Sequence, residues 1–162
     1  MSDMILGIHS NVSGDEAGFT SGHAWISIRR GGKTTVYGLW PDAHPKTLDN
    51  GDKSDIRVGM ESRSRPKASR YYKLSDAQSK HFNALMRANV GWTYTNTCSA
   101  WASDIVESVI GEDVDSDDYF GFETPRELGK SSEELEKKDP TSILSPKKLT
   151  KNPASSTQTS GK

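Results

Sequence analysis

A chain of 162 residues with 32% hydrophobic residues, mean hydropathy −0.73 and formal net charge −1 is long enough for one domain, but its core must be lean. No run approaches the ~20 apolar residues of a membrane span, and residues 1–9 lack the basic segment and long apolar stretch of an export signal, so neither membrane insertion nor Sec export is expected. One cysteine, Cys98, excludes an intrachain disulfide.

In chain order, Met4 to His9 reads as a short strand, and Asn11 to Gly22 as a Gly/Ser/Asn/Asp-rich loop that delivers the chain to His23. A hairpin follows. His23 to Arg30 alternates apolar and polar residues, Gly31 and Gly32 suit a tight turn, and Thr34 to Trp40 runs back. Folding about the two glycines brings Trp40, Pro41 and Asp42 opposite His23. Pro41 to Pro66 reads as loop with a short strand at Ile56–Met60, and Tyr71 to Leu74 as another strand. Arg63, Arg65, Lys67 and Arg70 around Pro66 form a basic stretch. With no aromatic residues interleaved, it reads as a solvated loop, not as a nucleic-acid surface.

A first helix is expected after Ser75, with Phe82, Leu85, Met86 and Val90 on one face and Gly91 ending it. A second should begin near Thr97 or Cys98, present Trp101, Ala102, Ile105 and Val109 to the core, and stop at Gly111. Thr124, Pro125 and Glu127 have the spacing of a capped third, short helix, with 112–118 and 131–138 charged and exposed. The expected organisation is therefore a domain over residues 1–138 and a low-complexity, flexible tail over 139–162. That tail carries four lysines against one acid, +3, which leaves −4 on the body and argues against nucleic acid as a partner.

The chemistry centres on Cys98. A cysteine in the first turn of a helix meets backbone N–H groups without intrahelical partners and the positive end of the helix dipole, both of which favour the thiolate. Asn96, Thr97 and Ser99 add polar surroundings that a core cysteine would not need, although Cys98 also shares a helical face with Ala102, Ile105 and Val109, as a packed one would. His23, at the start of an amphipathic strand, is the preferred base; His9 is the second candidate, His44 could orient, and His81 reads as solvated. Asp42 is the choice for the third polar group from the hairpin register, with His44 or the carbonyl near Trp40 as alternatives. No HExxH, CxxC, EF-hand or phosphate-loop pattern is present, so no metal and no cofactor are expected.

Three segments together, Gly22 to Ile28, Tyr37 to Asp42, and Asn96 to Ala102, resemble the circularly permuted NlpC/P60 group of papain-like hydrolases over residues 20–110. In that group the histidine strand precedes the cysteine helix. The chain is also similar to the amidase effectors that type VI secretion systems deliver into rival bacteria. The resemblance implies an α+β, papain-like fold, with Cys98 as nucleophile, His23 as general base and acid, and Asp42 in the third position. It further implies cleavage of an amide bond in peptidoglycan peptide stems or crosslinks, a cognate immunity protein, a secretion-system partner, and delivery to the periplasm of a target bacterium. Two alternatives remain open at this point: a lipid-directed cysteine acyltransferase or acyl hydrolase, and a non-catalytic binding or accessory protein with Cys98 in its core.

Overall fold

A computed structural model describes residues 4–12, 22–41, 47, 54–93, 96–114 and 124–149. The architecture is α+β: a six-stranded mixed sheet and three helices. The strands are β1 (Met4–Ser10), β2 (Ala24–Arg30), β3 (Lys33–Leu39), β4 (Ile56–Val58), β5 (Ala68–Leu74) and β6 (Lys147–Lys148). Their order is β4-β3-β2-β1-β5-β6, antiparallel except for the final parallel pair.

Alternation in the sequence decides which face is buried under helices. Met4, Leu6 and Ile8 of β1 share a core with Ala24, Ile26 and Ile28 of β2 and Tyr72 and Leu74 of β5, as the period of two requires. The helices α1 (Asp76–Met86), α2 (Cys98–Ile110) and α3 (Pro125–Lys138) pack onto that face through Phe82, Trp101, Ala102, Val106, Val109 and Leu128. The hairpin forms as expected, with Arg30 opposite Lys33 and Ile26 opposite Tyr37 across Gly31 and Gly32, both at positive φ. α2 starts after Thr97, whose Oγ1 accepts from Ala100 N–H, and stops at the left-handed Gly111, as the sequence indicates.

Three expectations change. α1 is capped by Ser75 as expected but ends at Met86 and not at Gly91. The chain leaves the helix there because the Val90 carbonyl and N–H are taken by Asp55 N–H and Ser54 Oγ, contacts that local sequence cannot reveal. α3 is a full 14 residues, and its 131–138 half is anchored and not merely exposed, with Ser132 buried and Leu135 against the core. The inward stripe Leu128, Ser132, Leu135 holds only two apolar residues, so periodicity alone understates it.

The third change concerns Arg70, which the sequence places in a solvated basic stretch. It is fully buried on the helix face of β5. Its guanidinium donates to Glu112 at 2.7 Å, to Glu136 at 2.7 Å, and to Asp139 through both the backbone carbonyl and the side chain. The segment from Asp139 to Leu149 is tied to the same network: Lys147 bridges Glu112 and Asp139, β6 pairs with β5, and Leu149 packs against the core. Residues 150–162 of the expected tail lie outside the described residues.

On the opposite face, His9 is buried between Ser27 and Ser69, 2.7 Å from each hydroxyl, and stacks on Trp25. Gly7 makes this possible, since a Cβ there would come within 2.7 Å of His9 Nε2 and 2.6 Å of Ser27 Oγ. A neutral imidazole offers one N–H and one lone pair, and the two hydroxyls take one each. Burial lowers the His9 pKa from 6.5 to about 4. A base whose folded pKa is depressed stabilises the fold fully above its unfolded value and loses that contribution as pH falls from 6.5 towards 4. Denaturant melts should show about 3 kcal/mol lost across that interval, and His9→Gln should flatten this slope.

Candidate active site

Two elements meet at the end of the sheet where β2 begins. β2 is preceded by His23, whose backbone N–H is held by Asn11 Oδ1 at 2.8 Å, and α2 is begun by Cys98. Cys98 is half-buried as a residue, its sulfur lies 3.9 Å from the Ser99 hydroxyl, and the His23 side chain and the Ala24 backbone N–H act on the thiol. The capping of α2 uses Thr97 for Ala100 N–H and Trp101 N–H, so the N–H groups of Cys98 and Ser99 stand outside the helical ladder beside the sulfur.

The other side of the His23 ring is occupied by Glu61. His23 Nε2 lies 2.5 Å from Glu61 Oε2, and Trp40 Nε1 donates to the same oxygen at 2.6 Å. This leaves His23 Nδ1 as the ring nitrogen for the thiol. The ring itself lies against two indoles, tilted at 4.0 Å from that of Trp40 and stacked at 6.1 Å from that of Trp25 by centroids. The Glu61 side chain is fully buried, and its second oxygen has no partner among the described residues. Gly38 admits it, because a Cβ at that position would collide with the carboxylate.

Electrostatics couples the three groups. Burial disfavours protonated His23, but the Cys98 thiolate and the Glu61 carboxylate outweigh it and raise the pKa to about 9. Burial likewise pushes the Cys98 thiol up, and the His23 side chain, the Ala24 N–H and the Ser99 hydroxyl more than compensate, so the thiol lies below its ordinary value. At neutral pH the arrangement favours a thiolate–imidazolium pair oriented by a carboxylate.

Of the residues named from sequence, His23 and Cys98 are brought together. Trp40 arrives opposite His23 as the hairpin register requires. Asp42 and His44, named from sequence for the third polar group, lie outside the described residues; among those described, the acid that meets His23 Nε2 is Glu61. His9 serves the sheet and is not at this site. His81, expected to be solvated, bonds Ser108 Oγ at 2.7 Å between α1 and α2. Two signals for Glu61 stand in the sequence: it is the one acid in 56–75, amid six basic residues, and Gly38 interrupts a strand as it does where another group approaches closely. Among the described residues no three His, Cys, Asp or Glu side chains gather as a metal site would require, and no helix is long and apolar enough to cross a membrane. Comparison with protein-family models, curated proteins and solved structures finds no match to this chain.

Proposed function

We propose that this protein is a cysteine hydrolase of amide bonds, built on a papain-like fold of the circularly permuted NlpC/P60 kind. The single observation carrying this reading is His23, whose Nε2 is held by Glu61 and whose side chain is coupled to the Cys98 thiol. The order of parts supports it as well, with the histidine strand β2 before the cysteine helix α2.

In the reaction, the Cys98 thiolate attacks the substrate carbonyl carbon, and the C=O electron pair moves to oxygen. The N–H groups of Cys98 and Ser99 at the start of α2 are placed to hold that oxyanion. His23 Nδ1–H protonates the departing amine, leaving a thioester and a neutral imidazole. A water molecule then attacks the thioester while His23 takes its proton, and thiolate and carboxylic acid separate. Glu61 keeps the proton on Nε2 throughout, so that Nδ1 is the nitrogen that gives and takes.

The substrate proposed is a peptide stem or crosslink of peptidoglycan, and the role that of an antibacterial effector acting in the periplasm of a target cell, with a cognate immunity protein and a secretion-system component as partners. Purified peptidoglycan incubated with wild type should release new muropeptides by mass spectrometry, and Cys98→Ala and His23→Ala should each release none. A folded wild-type protein that leaves the sacculi intact would remove peptidoglycan as the substrate.

A further inference from the structure

The basic stretch that the sequence singles out is divided by the fold. Arg70 is consumed by the buried network, whereas Arg63, Arg65 and Lys67 remain exposed. No ion pair or hydrogen bond holds the side chain of Arg63 or Arg65 among the described residues. Where these residues lie follows from the topology. β4 pairs with β3 and β5 pairs with β1, so the connection between β4 and β5 must cross β3, β2 and β1. It starts its crossing at Glu61, in contact with His23, and completes it at Lys67, whose N–H donates to the Ser10 carbonyl at the end of β1 opposite Ala24. Turns closed by Ser62 N–H to Gly59 and Ser64 N–H to Glu61 hold its beginning. The crossing therefore passes the end of the sheet from which His23 projects.

We propose that this strap makes the site selective for anionic substrates, with Arg63 and Arg65 receiving carboxylates on the segment flanking the scissile amide. The proposal rests on the cysteine-hydrolase reading and adds to it the chemical class of substrate. Its one acid, Glu61, is committed to His23, so the exposed strap carries three positive charges on a body whose net charge over residues 1–138 is −4. Arg63 follows Glu61 by two residues, a reach of at most about 7 Å, and Arg65 by four, at most about 14 Å, so with their side chains extended both charges lie on the order of 10–20 Å from the acid that holds His23. That is inside the Debye length of about 30 Å at 0.01 M salt and beyond that of about 8 Å at physiological salt.

Alkylation of Cys98 by iodoacetate, an anion, and by iodoacetamide, its neutral counterpart, reads this field directly. At ~10 mM salt the ratio of the two rates should fall about threefold in Arg63→Ser/Arg65→Ser and about tenfold in Arg63→Glu/Arg65→Glu, with iodoacetamide rates unchanged and the effect gone at ~0.5 M salt. In hydrolysis the same variants should raise KM for carboxylate-bearing stem peptides, leave kcat alone, and have no effect on the amidated peptides. A ratio that stays constant while iodoacetamide reacts rapidly overturns the strap proposal and leaves the hydrolase reading intact. A native protein whose Cys98 resists iodoacetamide overturns the hydrolase reading, and the strap proposal with it.

Discussion

Replacing His23 with alanine should slow the alkylation of Cys98 by iodoacetamide at pH 7 about a hundredfold. The largest influence on the thiol is burial, which raises its pKa, and in wild type the His23 side chain is the first of the groups that reverse it. Without the imidazole, only the Ala24 N–H and the Ser99 hydroxyl oppose burial, and the thiol should titrate above its ordinary value. Each unit of upward shift removes about tenfold of thiolate at fixed pH, partly offset because a more basic thiolate is a better nucleophile. Wild type should therefore keep more of its rate as pH falls from 8 to 6 than His23→Ala, which should climb steeply across the same range. Hydrolysis carries a second signature. His23 must be protonated to release the amine, and its pKa is raised to about 9, so turnover should fall as pH rises through that value while alkylation does not. A wild-type thiol that reacts only as fast as an ordinary free cysteine, with no separation between the two profiles, would leave Cys98 as a packing residue.

Arg70→Met should destabilise the protein by about 3 kcal/mol, a value at the low end for removing one partner from a buried ionic cluster because the carboxylates keep some contact with water. The guanidinium is fully buried, and it joins the segment after α2 through Glu112, α3 through Glu136, and the Asp139 carbonyl. Removing it leaves Tyr72 and Glu112 bonded to each other at the sheet and strips α3 of its polar anchor. The methionine fills much of the volume, so the loss reports the network and not a cavity. Thermal denaturation should drop by about 10 °C. Because His23, Cys98 and Glu61 lie at another part of the sheet, the folded fraction should keep its iodoacetamide reactivity, and an equal loss of both properties would mean that the cluster and the site are one cooperative unit.

Local patterns in the chain carry most of the secondary structure. The two-residue period of β1, the Gly31-Gly32 turn, the Thr97 cap and the Gly111 stop each follow from steric and hydrogen-bonding preferences of neighbouring residues, and each appears where the sequence places it. The same local logic locates Cys98 at a helix start and His23 at a strand start, because both positions are defined within a few residues. The ends of α1 and α3 are less legible, since the partners that set them, Ser54, Asp55 and Arg70, are remote in sequence.

By itself, then, the sequence determined an α+β chain with a cysteine at the head of a helix, a histidine at the head of a strand, and a tryptophan in register with that histidine. Only the tertiary structure decided which acid joins them, which basic residues stay in water, and what becomes of 139–149. The reason is physical. Glu61 is 38 residues from His23 and reaches it through space vacated by the missing side chain of Gly38, and Arg70 is buried only because three carboxylates from two remote segments converge on it. Burial of a charge is settled by partners brought together in three dimensions, and no window of neighbouring residues contains that information.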